Sequence, residues 1–210
     1  MTFERAMVIL FTKVAQTVIA ERFTHTFFDN DGNRVRKVFA YLFSVFIAIF
    51  VNLFFHKPIF NFLSIFLGLS AIALSYNGTI KRKCIFVFYI LAVSCLIDLV
   101  VSAFLIKPFG YDGYSAFVSI FALLLLHATQ LITERFFEND LGIELNNRYW
   151  LFIIASLLVC IITSIVIFMD KTVSSFSLSL VCGAFLLVNI IISYLSLIHI
   201  SEPTRLRRIS

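Results

Sequence analysis

Charge is what this sequence has least of. Lys, Arg, Asp and Glu together make up 14% of its 210 residues, where an ordinary soluble domain has about 25%. No continuous water-facing surface can be built from that. Glycine and proline are scarce too, at seven and three. That leaves no Gly-rich loop to cradle a phosphate, and little material for the broken spans and repeated halves of a secondary transporter. The four cysteines, Cys84, Cys95, Cys160 and Cys182, have neither metal-type nor redox-type spacing and read as small hydrophobes. There is no His-Glu-x-x-His and no Glu-Glu-x-x-x-Arg; Glu134-Arg135 stands alone at the exit of an apolar block. His127 and Cys160 fall at different depths of consecutive blocks, which does not suit a Cys/His peptidase pair. No enzyme activity, cofactor or metal is expected of these residues. Without a basic face interleaved with aromatics, no nucleic-acid partner is expected either.

What is present is apolar: 60% of the chain, with 26 Phe. The apolar residues come in long uninterrupted runs and do not alternate over short strands, which predicts helices in a lipid bilayer and excludes an outer-membrane barrel. The fold class is therefore all-α, a polytopic transmembrane helical bundle of six or seven spans. The spans fall at about 6–20, 38–55, 59–76, 85–106, 114–132, 149–168 and 175–194. The block from Ile59 to Tyr76 organises the rest. At about 1.5 Å per residue its helix is about 27 Å long, close to the hydrocarbon thickness of about 30 Å. It stops at Asn77-Gly78 and is followed at once by Lys81-Arg82-Lys83, a short basic loop of the kind retained in the cytoplasm. Taking loops by side, Arg22, Arg34, Arg36, Lys37, Lys81, Arg82, Lys83, Arg135 and Arg148 oppose Lys57, Lys107 and Lys171. This bias puts the C-terminal end of the last helix in the cytoplasm, in a bacterial-type multi-pass cell-membrane protein.

The first block is the most polar. Lys13, Gln16, Thr17 and Ala20 recur at i, i+3, i+4 and i+7, one stripe of a helix. Such a helix either spans with the stripe turned into the bundle or lies in the interface with the stripe in water; the polar residues at both its ends favour spanning. Met1 to Ala20 does not resemble a cleavable signal peptide, since Glu4 accompanies Arg5 ahead of the apolar part. Asp29-Asn30-Asp31-Gly32-Asn33 has the composition of a solvated turn and lacks the ligand ladder of a calcium loop. Asp98 is the one acidic residue well inside a block. A carboxylate in hydrocarbon is costly, so it is expected to face the bundle and to hydrogen-bond a Ser or Asn on a neighbouring helix, or else to meet a ligand. Asp98 and Asn61 are the ligand-binding candidates.

The end of the sequence reads differently. Leu195-Ser-Leu-Ile-His-Ile-Ser-Glu-Pro-Thr-Arg205 resembles the one-frame translation of the transposase-end adapter used to prepare DNA sequencing libraries. Residues 195–210 are therefore expected to be an artefactual tail, and the native reading frame is expected to be interrupted at about Tyr194. Arg205, Arg207 and Arg208 are then no lipid-binding patch. Without the tail the basic and acidic residues fall to 14 and 11, and the formal charge from +5 to +3.

Pro58-Ile59-Phe60-Asn61, an apolar run, Ser75-Tyr76-Asn77-Gly78-Thr79-Ile80-Lys81-Arg82-Lys83, then a second run with an acid past its middle together resemble the sensor module of the peptide-receptor histidine kinases. These are receptors of the accessory-gene-regulator type, with a GHKL-type ATPase domain. Leu186-Leu187-Val188-Asn189-Ile190-Ile191-Ile192-Ser193-Tyr194 is similar to the run that precedes their cytoplasmic helices, and the resemblance covers residues 1–194. It implies that this domain binds an extracellular peptide, pairs as a homodimer and relays to a cytoplasmic kinase whose motifs this chain lacks. A shallow outer pocket is expected near Lys57 to Phe60, Lys107 to Tyr114 and Met169 to Ser174. An alternative from another class is a small permease or membrane assembly protein using Asp98 as its proton or cation group.

Overall fold

Local chemistry sets most of the helix ends. The computed structural model describes residues 3–28, 33–55, 58–111, 115–137, 157–159 and 161–162. Helix α1, Phe3–Phe27, opens with Glu4 in its first turn, a negative charge at the positive end of the helix dipole. Asn33 caps α2, Arg34–Phe54, by accepting from Val35 N at 3.0 Å. Pro58, whose missing N–H costs nothing in a first turn, begins α3, Pro58–Ser75. The chain then turns through Asn77 and Gly78. Gly78 has φ 153°, and a Cβ there would sit 3.3 Å from the Phe28 ring, so only glycine fits without strain. Thr79 caps α4, Ile80–Val101.

α4 does not stop at Val101 but widens into a π-helical turn, Ser102–Ile106, then tightens into the short α5, Lys107–Phe109. Pro108 explains the widening: in an unbroken α-helix its ring would collide with the carbonyl of Phe104. Gly110, in the left-handed conformation at φ 67°, ends the run. Ser115 caps α6, Ala116–Phe137, by accepting from Val118 N at 3.3 Å.

The long helices run alternately up and down. α1 packs on α2, α2 on α3, α3 on α4, α4 on α6, and α6 back on α1, so five helices close into a ring. The tightest joint is α2 with α3, where Gly68 lies against Ser44 with no room for a side chain. Small residues at a helix crossing let two backbones approach, which is how helices associate when lipid supplies no hydrophobic drive. At the end where α1 stops and α4 starts, aromatic rings fill the centre. Phe28 stacks on Tyr76 at 5.4 Å and meets Phe86 edge-on at 5.2 Å, while Phe27 meets Phe86 at 5.7 Å. Leu157 and Ile161 join this core.

Among the described residues the chain is helical, without strands. Three helical stretches, Arg34–Phe54, Ile80–Ile106 and Ala116–Arg135, are long and apolar enough to cross a membrane, and Ile59–Ser75 is a shorter apolar helix. The observed helices overrun the expected spans: 6–20 becomes Phe3–Phe27, 38–55 becomes Arg34–Phe54, and 85–106 begins at Ile80. Charged residues end an apolar run without ending a helix, since Lys, Arg and Glu are good helix formers. The expected spans at 149–168 and 175–194 lie outside the described residues except at 157–159 and 161–162, and the tail at 195–210 lies wholly outside them.

Candidate functional site

The polar stripe of α1 faces the middle of the ring. Lys13, Gln16, Thr17, Ala20 and Phe23 of α1 line a cavity of about 50 Å³, together with Ser44 and Ala48 of α2, Ser64 of α3, Ser94 of α4 and Leu126 of α6. Of the two readings of this stripe, it is the one turned into the bundle that the fold adopts. Lys13 is 8% exposed. Its ammonium can only donate, and it donates to Gln16 Oε1 at 3.2 Å and to Asn61 Oδ1 at 3.3 Å. Asn61 Oδ1 also accepts from Asn52 Nδ2 at 2.9 Å, and the same Nδ2 lies 2.8 Å from the Ala48 carbonyl. One amide oxygen thus joins α1, α2 and α3.

A second tie sits at the other end of the same three helices. The hydroxyls of Thr24, Tyr41 and Tyr76 form a triangle with edges of 3.0, 3.0 and 3.2 Å. Thr24 is fully buried, and the Lys37 ammonium lies 4.2 Å from the centre of the Tyr76 ring, within cation–π range. On the far side of the ring, Tyr89 of α4 and Thr133 of α6 are hydrogen-bonded at 2.7 Å. Polar contacts thus join α1, α2 and α3 to one another and α4 to α6.

Of the two residues singled out from sequence, Asn61 is at the centre of the first tie. Asp98 departs from expectation. It is exposed, and no hydrogen bond joins it to a Ser or Asn among the described residues. It interacts electrostatically with Lys13 instead. It lies one helical turn beyond Ser94 on α4, which brings its charge near the cavity without lining it. The expected outer pocket is only partly within the described residues: Phe60 packs on Phe55 at 4.9 Å, and Tyr111 on Phe109 and Phe117 at 6.1 and 5.5 Å. These are exposed rings at two separate turns.

Sequence reading passed over Asn52, although it is the only amide within the second apolar block, and over Ser44, Ser64 and Ser94, for which composition gives no signal. Two buried atoms stay orphaned: Thr26 Oγ1 and Gln130 Oε1 have no hydrogen-bond partner among the described residues, while Gln130 Nε2 donates to Glu134 at 2.6 Å. Cys84 and Cys95 are half-buried thiols, and among the described residues no group of His, Cys, Asp and Glu could hold a metal. Compared with known protein families, curated proteins and solved structures, the chain matches none.

Proposed function

We propose that this chain is the membrane-embedded sensor domain of a two-component receptor, which binds an extracellular peptide and relays the event to a cytoplasmic kinase. The observation that supports it best is the pair of ties holding α1 to the α2–α3 hairpin, Lys13–Asn61–Asn52 at one end and Thr24–Tyr41–Tyr76 at the other. With both ends pinned, a push on the hairpin's Phe55–Phe60 turn moves α1 as well, so a displacement on one side of a bilayer is delivered to the other. A cavity of about 50 Å³ holds roughly three or four waters and offers no passage to a larger solute, which favours relay over transport. In this reading α1 to α4 and α6 all cross the bilayer, two more spans follow, the Lys81-Arg82-Lys83 loop is cytoplasmic, and two copies pair in the membrane.

The test is saturable binding of peptides encoded in the source genome to the chain in lipid nanodiscs. Binding that Tyr76→Phe uncouples from movement of α1, read by spin labels at the ends of α1 and α3, supports the relay. No binding by any such peptide refutes it. Reading the source DNA across the Tyr194 codon is a second check, because a frame continuing into a phospho-acceptor His and a GHKL ATPase domain supplies the kinase. The permease reading draws on the electrostatic attraction between Asp98 and Lys13; solute or proton transport that survives Asp98→Asn removes it.

A further inference from the structure

We infer that the central cavity is a binding site for a small monovalent inorganic anion, with chloride as the representative. The argument is a count of hydrogen-bond donors and does not depend on the sensor reading. Lys13 has three N–H groups, of which two go to Gln16 and Asn61. The third is left for the cavity it lines. Once Gln16 Oε1 accepts from Lys13, its Nε2 is a donor, and no hydrogen bond joins that Nε2 to another described residue. The Ser44 and Ser94 hydroxyls also line the cavity and likewise have no hydrogen-bond partner among the described residues. Four donors, one of them cationic, therefore belong to one small space.

The acceptors that face these donors across the cavity are neutral hydroxyl oxygens. The hydroxyls of Thr17 and Ser64 spend their protons on backbone carbonyls, Lys13 O at 2.9 Å and Asn61 O at 2.7 Å, and offer only lone pairs to the cavity. Helix carbonyls are already engaged along their ladders. Water in such a space can bond to the hydroxyls, but it brings no charge to meet the ammonium. An anion accepts from all four donors and donates nothing, and it also neutralises a buried ammonium whose direct partners are neutral amide oxygens. The volume of about 50 Å³ suits a halide with a water and excludes a phosphate ester or a peptide. Asp98, whose charge reaches Lys13 from outside the lining, opposes anion entry and tunes its affinity downward.

The experiment uses the full chain in nanodiscs in gluconate buffer, with chloride added and its NMR line width followed. The expected result is saturable excess broadening that bromide displaces. Lys13→Met weakens it at least roughly tenfold, and Ser44→Ala with Ser94→Ala does so by a similar factor, because each removes donors to a charged acceptor. Asp98→Asn tightens it several-fold. Helix content by circular dichroism accompanies every variant; if Lys13→Met does not fold, the serine pair and Asp98→Asn decide. Absence of saturable broadening in the folded wild type overturns the inference, as does broadening unchanged by the serine pair or weakened by Asp98→Asn.

Discussion

Adding one methyl group at Gly68 tests the packing on which the ring depends. A Cβ placed there would overlap Ser44 Oγ and lie 3.1 Å from Ser44 Cβ and 3.3 Å from Ser44 Cα. The hydroxyl can rotate away, but the Cα cannot, so α2 and α3 must separate by a few tenths of an ångström. Two effects compete in Gly68→Ala. Replacing glycine within a helix gains about 1 kcal/mol of propensity, while overpacking a close crossing costs about 1–3 kcal/mol. The expected net is a loss of up to about 2 kcal/mol, and Gly68→Val, with a second branch at Cβ, is expected to lose more. Ser44→Gly combined with Gly68→Ala opens the space again and recovers the packing part of the loss, giving a coupling of at least about 1 kcal/mol in a double-mutant cycle. Unfolding of the detergent-solubilised chain by denaturant, followed by circular dichroism, measures all of these. If Gly68→Ala alone raises stability by the full propensity gain of about 1 kcal/mol, the two helices are not in close contact and the ring is drawn wrongly. The same substitution turns the Ser44 hydroxyl from its place, so chloride broadening should weaken alongside stability.

Asn61→Leu leaves a Lys13 N–H and an Asn52 N–H without their shared acceptor, and is expected to cost about 3 kcal/mol; adding Lys13→Met removes the stranded charge and recovers most of it, by the same unfolding measurement. Tyr76→Phe opens two edges of the hydroxyl triangle while Thr24 and Tyr41 keep each other, so a loss of about 1 kcal/mol is expected. Thr26→Val replaces an orphaned buried hydroxyl by a methyl and is expected to stabilise by about 1 kcal/mol; a loss of similar size would mean that the hydroxyl has a partner.

The punctuation of the chain was legible before any coordinates. Pro58 starts a helix, Asn77-Gly78 ends one, and the Lys13, Gln16, Thr17, Ala20 stripe turns inward, because caps, turn residues and helical periodicity are local physics. The assembly of the cavity was not legible. Ser44, Ser64 and Ser94 are unremarkable in their own blocks and meet only because five helices are rotated to point them at one place. The expectation for Asp98 went astray for the same reason. Its depth in a block was evident, but which groups its charge would reach, Lys13 of α1 among them, depended on how α4 was rotated in the ring.

The distribution of residues on α2 bears on the membrane independently of composition. Its exposed side carries Val35, Val38, Phe39, Leu42, Phe43, Phe46, Phe50 and Phe54, whereas its buried positions are Lys37, Ala40, Ala48 and Asn52. In water that arrangement is upside down. Eight large apolar side chains would be left in solvent, forfeiting about 1.5–3 kcal/mol each of available burial, while a lysine and an amide were paid their desolvation cost in the core. In a bilayer the balance reverses. The outward rings meet lipid at no loss, and the polar groups are better satisfied by one another inside the ring than they could be facing hydrocarbon. The small alanines between them then have a purpose, since they let α1 and α3 come near enough for Asn52 to reach Asn61. On this argument, replacing Phe39, Phe43, Phe46 and Phe50 together by Leu should leave the ring folded in nanodiscs, and replacing them by Ser should prevent insertion of α2.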